Sequence, residues 1–452
     1  MKIAIKSPST EACEAIRQLL SPWKVTFTNL DEAEIAVTYQ ENPPENIESI
    51  IIPSDSPSFK RWLKDRGLKI TTEQGSKTTI TATPKTNLTI TPKKQYCYKR
   101  STRTVSTLNP SPYVKLSDGV LLMTLDVIEE HARIIDKVLN PKLSTFYRLL
   151  TGLPVPYTLA PERLRNVVMG KKKREVNFSF NDKLPLDALR YLIVKSLERI
   201  THETPERKSW EGKRYVCLMT HDVDSREGLR RARRIVKLEE KYDVPSAWYI
   251  PSKRYKLDRA VLENLANHGE IGAHDTKHDG KLGQISENKL VRRLHDVKKT
   301  LEKIIGQPVK GFRAPLLQHN ANILEALERV GYAYDSSVPT WEPNHPSSMG
   351  PCGVGTVYPL HTDGIVEIPV TLPQDHQMNQ VLGLSAKQTV KKWLEMVYLI
   401  KKLEGVGTIL VHPNHKIGHS RKSDIYEELL NSLISDNDIL LTTPIWMVEQ
   451  CC

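Results

Sequence analysis

The sequence predicts an α/β protein: a barrel-like C-terminal domain of parallel strands, preceded by a small α/β unit and a mainly helical region. Three observations carry that expectation. From Lys213 onward, β-branched and aromatic runs alternate with amphipathic segments about seven times over ~240 residues, the pattern of a parallel sheet, most simply a closed barrel. Side chains with metal-binding chemistry fall at the ends of successive runs, where α/β architectures build active sites. At 452 residues, the chain is too long for one ordinary domain, and two or three are expected.

Taken in order, Lys2–Lys6, Lys24–Thr28, Ala33–Thr38 and Ile50–Ile52 read as strands, and Glu11–Leu20 and Ser56–Arg66 as helices, the second begun by Ser56-Pro57-Ser58. Residues 71–112 are threonine-rich; Thr78–Thr83 and Thr86–Thr91, broken by Pro84 and Pro92, suggest hairpin strands or a loose linker. Helical periodicity dominates 119–202, clearest at Asp126–Leu139 and Pro185–Arg199. The domains expected are therefore 1–115, 116–212 and 213–452. Within the last, strands are expected at Tyr215–Thr220, Ser246–Ile250, Glu270–His274, Gly311–Arg313, Ala333–Asp335, Val366–Val370, Thr408–His412 and Ile439–Thr442. Gly269, Gly306, Gly331 and Gly405 stand where the intervening helices should stop.

Composition narrows the class. Hydrophobic residues at 39% and charged residues at 26% describe a soluble globular chain, and no apolar run approaches the ~18–20 residues of a membrane helix. The N-terminus shows no signal-peptide h-region, and the six cysteines form no CxxC pair or disulfide framework. A cytoplasmic protein with reduced thiols is expected, with a peripheral position at the inner membrane face as a variant. The net charge of +12 is uneven: residues 1–212 hold 33 Lys and Arg against 24 Asp and Glu, a difference of +9. This excess, including Lys171-Lys172-Lys173-Arg174, could suit an anionic partner, although no nucleic-acid module is recognisable and a solvated surface is the plainer reading.

The chemistry concentrates in Thr220-His221-Asp222-Val223-Asp224 and His274-Asp275-Thr276-Lys277-His278. Two imidazoles and one carboxylate leave coordination positions open, as in catalytic zinc sites. His274 and His278 can reach one ion, Asp224 is the natural third ligand, and Asp222 stands beside it as proton acceptor. Arg313 in Gly311-Phe312-Arg313-Ala314-Pro315 could hold Asp222 in one orientation. His412 ends an apolar strand in Thr408-Ile409-Leu410-Val411-His412-Pro413, well placed as a general acid. Asp335 in Tyr334-Asp335-Ser336-Ser337 reads as a cap, and His415 and His419 as loop residues. Taken alone, each has a plainer reading as a helix cap, a surface ion pair or a buried histidine on a carbonyl.

In order, THDVD (220–224), HDTKH (274–278), GFRAP (311–315), YDSS (334–337) and LVHP (410–413) resemble the motif series of polysaccharide deacetylases, the NodB-homology or carbohydrate esterase 4 family. The likeness covers residues 213–445. It implies a distorted (β/α)7 barrel and a metal-dependent amidohydrolase, with Asp222 as base, Asp224, His274 and His278 as ligands, Arg313 orienting the base and His412 as acid. The implied ion is zinc, with cobalt or another divalent metal as alternatives. Two features depart from the usual pattern: Val223 separates aspartates that are adjacent in most members, and Asp275 replaces a small hydroxyl residue. No equivalent of the Asp-Trp segment supporting the acid histidine is evident, and Asp375 is the nearest nominee.

The function expected is deacetylation of an N-acetylated amino sugar in an intracellular glycan precursor, nucleotide-linked or lipid-linked. Hydrolysis of a non-sugar linear or cyclic amide such as a ureide or imide is the first alternative, and a non-catalytic binding barrel the second. Trp248, Tyr249 and Trp341, near strand ends, favour sugar if they form exposed platforms.

Overall fold

The computed structural model describes residues 1–100, 103–104, 113–116, 119–142, 178–345, 350–362, 364–418 and 425–451. Lys171–Arg174, His419, Cys452 and the middle of the expected helical region lie outside the described residues. The chain forms two compact units, one built from Met1–Asp136 with Ser179–Lys208, the other containing Ser209–Cys452.

The first unit holds a six-stranded sheet in the order Tyr113–Lys115, Val120–Met123, Ser49–Ile52, Ile35–Tyr39, Lys2–Lys6, Thr26–Phe27. All pairs are parallel except Tyr113–Lys115 against Val120–Met123. Ile35–Tyr39 and Ser49–Ile52 are buried along their whole length, which fits their mostly apolar runs. Local chemistry starts each helix. Ser9 Oγ accepts from Ala12 N–H to open Thr10–Leu20, and Ser56 Oγ accepts from Phe59 N–H to open Pro57–Asp65. Asp126 Oδ1 does the same for Val127–Leu139, accepting from Ile128 and Glu129 N–H at 3.1 and 2.9 Å. The threonine-rich stretch is ordered: Thr78–Thr83 pairs with Thr86–Ile90 as a hairpin, and Leu68–Gln74 pairs antiparallel with Lys94–Arg100. Alternate residues Thr78, Ile80 and Ala82 point inward, so period-two patterning decides in favour of strands over a linker.

The second unit is an α/β domain on a nine-stranded sheet. Its main path runs Leu360–Thr362, Ile365–Glu367, Tyr334–Asp335, Gly311–Phe312, Glu270–Ala273, Ser246–Ile250, Tyr215–Asp222, Val406–Leu410, and Ile439–Thr442 also pairs with Tyr215–Asp222. Seven strands from Ile365–Glu367 to Val406–Leu410 are mutually parallel, and the sheet curls into an incompletely closed barrel. Between its two ends lies the irregular segment 370–372, where Val370 N–H donates to Val338 O at 2.9 Å and Leu372 N–H to Thr408 O at 3.2 Å. Pro369 and Pro373 flank it and cannot donate to a regular ladder.

The interior is filled by Val216, Leu218, Tyr249, Tyr334, Val366, Ile368 and Val406. Two phenols meet at its centre, with Tyr249 and Tyr334 hydroxyls 3.1 Å apart and Tyr334 donating to Glu270 Oε1 at 2.7 Å. Glycine makes that layer possible: a Cβ on Gly272 would lie 2.5 Å from the Tyr249 ring, and one on Gly311 2.0 Å from the Tyr334 hydroxyl. Along Tyr215–Asp222, Val216 and Leu218 share a face with Thr220 and Asp222. The strand therefore carries its first aspartate into the barrel mouth. On the opposite face, His221 turns toward helix Arg226–Tyr242, where its Nε2 lies 2.8 Å from Glu239 Oε1.

Candidate metal centre

Six residues singled out by pattern converge at the carboxyl ends of the barrel strands. Asp224 Oδ1 lies 3.2 Å from His274 Nε2 and 3.1 Å from His278 Nε2. The Nε2 of His412 stands 3.7 Å from the other oxygen of Asp224. Asp222 Oδ2 is 3.8 Å from His274 Nε2, and its Oδ1 is 3.2 Å from Arg313 Nη1.

The donor set fits a single divalent ion. Ligands held ~2.05 Å from a tetrahedral zinc lie about 3.3 Å apart, close to the spacings around Asp224 Oδ1. That oxygen is buried and has no hydrogen-bond partner among the described residues. His274 Nδ1 donates to the carbonyl of Arg313 at 2.7 Å, which fixes the tautomer whose Nε2 lone pair faces Asp224. Asp224, His274 and His278 could therefore hold the ion. A second group, Asp375, His412 and His415, is also close-set. Asp375 already accepts from His412 N–H at 3.0 Å, His376 N–H at 2.7 Å and His412 Nδ1 at 2.5 Å. It acts as an imidazole support, not a vacant ligand.

Electrostatics follow this geometry. Burial raises the Asp224 carboxyl, but the imidazoles of His278, His274 and His412 more than offset it and hold the group well below its ordinary value. Burial lowers His274, while the charges of Asp222 and Asp224 outweigh it and hold the ring above its ordinary value. For His412, burial lowers and the charge and hydrogen bond of Asp375 raise, with Asp224 and Asp222 adding to the rise, for a net value of about 10. The centre thus favours positive charge.

Arg313 is fully buried and donates in four directions: to Asp222, to Thr220 Oγ1 at 2.8 Å, to Ser336 O at 2.7 Å and to Ser336 Oγ at 2.7 Å. Its guanidinium stacks 4.2 Å from the Tyr249 ring centroid. The histidine pair is set by a strained turn, with Asp275 at φ 62° and His278 at φ 55°. Asp275 Oδ2 accepts from His278 N–H at 3.1 Å, and Arg293 grips Asp275 with two bonds of 2.5 Å and Asp279 with bonds of 3.1 and 2.8 Å. Arg254 ties the two ligand loops together, donating to the carbonyls of Asp224 at 2.5 Å and His278 at 3.1 Å.

Residues 211–334 match the family model for polysaccharide deacetylases. Over this stretch the chain is similar to polysaccharide deacetylases. Such deacetylases are hydrolases of amide C–N bonds, and the fold described above is the NodB-like one. Solved structures similar to the chain include a protein of Mycobacterium smegmatis described as a polysaccharide deacetylase, at 19% identity over 54% of this chain and 92% of that one, with a TM-score of 0.45. PuuE allantoinase is similar at 13% identity over 53% and 91%, with a TM-score of 0.41. Peptidoglycan deacetylase PdaC from Bacillus subtilis is similar at 15% over 54% and 94%, with a TM-score of 0.36. No curated protein matches the sequence. Among the described residues, no helix of the chain is long and apolar enough to cross a membrane.

One expectation is corrected. Trp248 and Tyr249 are fully buried and Trp341 is only 8% exposed, so none is an open sugar platform. Trp248 stacks on His221 with centroids 4.1 Å apart, and Tyr249 lies under Arg313. Position at a strand end does not reveal which face of the strand a ring takes. Sequence reasoning also missed Arg254 and Arg293, which bear on the ligands through carbonyls and a neighbouring carboxylate. The one available signal for Arg293 was its partner Asp275, the odd residue after the first histidine.

Proposed function

We propose that the deacetylase domain removes the acetyl group from an amino-sugar-containing substrate, nucleotide- or lipid-linked, with Asp224, His274 and His278 holding one divalent ion, zinc or a close substitute. The observation that carries this reading is the placement of Asp224: one oxygen faces both ligand imidazoles, the other faces His412. When bound, such an ion acidifies a water ligand and polarises the acyl oxygen. Asp222 is the proton acceptor, because it lies beside the ligands without being one and Arg313 fixes its outer oxygen. His412 is the proton donor to the leaving amine. Its Nδ1–H is engaged by Asp375, which leaves Nε2–H aimed at the centre. Asp375 therefore supports the acid, and Arg313 the base.

The test is acetate release by the full-length protein, loaded with zinc, from UDP-N-acetylhexosamines and chitooligosaccharides, with cyclic ureides as the competing class. Acetate release that vanishes on chelation and returns with zinc supports the reading. Turnover confined to the ureide replaces it with the cyclic-amide alternative, and no turnover of any class favours a binding barrel.

A further inference from the structure

Beside Arg313, two carboxyl groups have no part in the chemistry above. Tyr334–Asp335 and Ile365–Glu367 run parallel with Asp335 directly opposite Glu367, and both side chains are buried. Each carboxyl has one committed oxygen. Ser337 Oγ–H donates to Asp335 Oδ1 at 2.5 Å, and Val338 N–H donates to Glu367 Oε1 at 3.0 Å. The remaining oxygens, Asp335 Oδ2 and Glu367 Oε2, are buried and receive no donor from any other described residue. Two buried carboxylates this close repel if both ionise, and two orphaned acceptors are costly. One proton between the free oxygens removes both penalties at once. Burial, the leading influence on each, raises Asp335 to about 6 and Glu367 well above its ordinary value, the latter raised further by the Asp335 charge. The stronger upward push on Glu367 places the shared proton nearer its side of the pair.

We propose that Asp335 and Glu367 share a single proton and together form the positioning element for Arg313. The turn 335–338 is wound around the two carboxyls, and its two serines reach from it to that arginine and to the peptide after it. Ser337 Oγ accepts from Ala314 N–H at 2.8 Å, fixing the peptide that follows Arg313. Ser336 takes the guanidinium through its carbonyl and its hydroxyl. The Arg313 carbonyl receives His274 Nδ1–H. One carboxyl pair therefore sets both ends of Arg313: the guanidinium that meets Asp222 and the carbonyl that orients a ligand imidazole. Neither carboxyl touches the reacting atoms, so both are positioning residues. The inference rests on the reading of Arg313 as the group that orients Asp222.

Two measurements on the full chain test it. At pH 7, the infrared difference spectrum of wild type minus Glu367→Gln should contain the carbonyl band of a protonated carboxylic acid. This readout needs no turnover, so it stands even if the deacetylase reading fails. In acetate release, Glu367→Gln should stay within about threefold of wild type in kcat, because an amide N–H replaces the shared proton toward Asp335. Glu367→Ala should lose roughly tenfold or more in kcat, with KM changed less than about twofold and metal content retained. A difference spectrum without the acid band overturns the proposal, as does a Glu367→Gln enzyme as impaired as Glu367→Ala. Should the alanine variant fail to fold, the infrared result on the glutamine variant decides alone.

Discussion

Asp222 and Asp224 are one residue apart and meet different company. Asp222 faces a guanidinium, and Asp224 faces three imidazoles. Replacing them should therefore have separable effects. Asp222→Asn is expected to lower kcat at least ~100-fold while metal content, read by elemental analysis, stays at wild-type level. Asp224→Asn should lose the metal itself, and equal metal loss in both would refute the division of roles. That both carboxylates reach one place was legible from their spacing, although only Asp222 lies on the strand Tyr215–Asp222 and Asp224 follows its end. The partner of His412 was legible only as a nomination, because helix Ala386–Leu403 separates it from Asp375 and no tryptophan directly follows that aspartate to mark it. Arg254 could not be found from sequence at all: its partners are backbone carbonyls, which every residue has.

At the scale of elements, the turn between the two histidines depends on helix Glu287–Ile305, which supplies Arg293. Arg293→Ala should release Asp275, relax the left-handed residues, and weaken zinc affinity by about 10–100-fold, measured by competition with a chromogenic chelator. Arg293→Lys should recover only part of this, since an ammonium cannot span two carboxylates as a guanidinium does. In the first unit, Asp126 opens its helix from a buried position. Burial, only partly offset by the hydrogen bond from Glu129 N–H, lifts its carboxyl from 3.8 to about 6. Because the folded value is the higher, this group's contribution is complete below pH ~4 and is lost as pH rises through about 6, a change of at most ~3 kcal/mol. Asp126→Asn keeps the capping oxygen and should flatten that part of the stability profile, as followed by denaturant unfolding across pH 4–7. The helix start at Ser56 was readable because a capping side chain followed by proline announces itself, whereas the caps Ser9 and Ser385 went unread. Strand lengths were less readable: Gly311–Phe312 and Tyr334–Asp335 are two-residue strands, each one residue shorter than the run that predicted it. The antiparallel pair Glu342–His345 and Gly350–Cys352 went unread, because its prolines and glycines signal a loop.

At the scale of the whole molecule, a bound ion belongs to one of the two units alone. Chelation should raise amide exchange at 220–224 and 274–278 and leave Lys2–Lys6, Ile35–Tyr39 and Ser49–Ile52 unchanged. With free zinc at ~100 times its dissociation constant, the C-terminal unit should gain about 3 kcal/mol. A matching gain in the first unit would mean the two unfold together. The strand–helix rhythm made the barrel legible because each of its layers obeys a simple period. The first unit resisted a functional reading because its polar residues serve as caps and hairpin faces, roles that carry no chemical signature.

Gly272 and Gly311 give the barrel two missing methyl groups on which its centre depends. A random library screened for activity should return neither position altered, although neither belongs to the candidate metal centre. An alanine at either would press a phenol outward, and for Gly272 the displaced ring is the one beneath Arg313. Damage to turnover would then arise from below the reaction floor, as a shifted foundation cracks the wall above it.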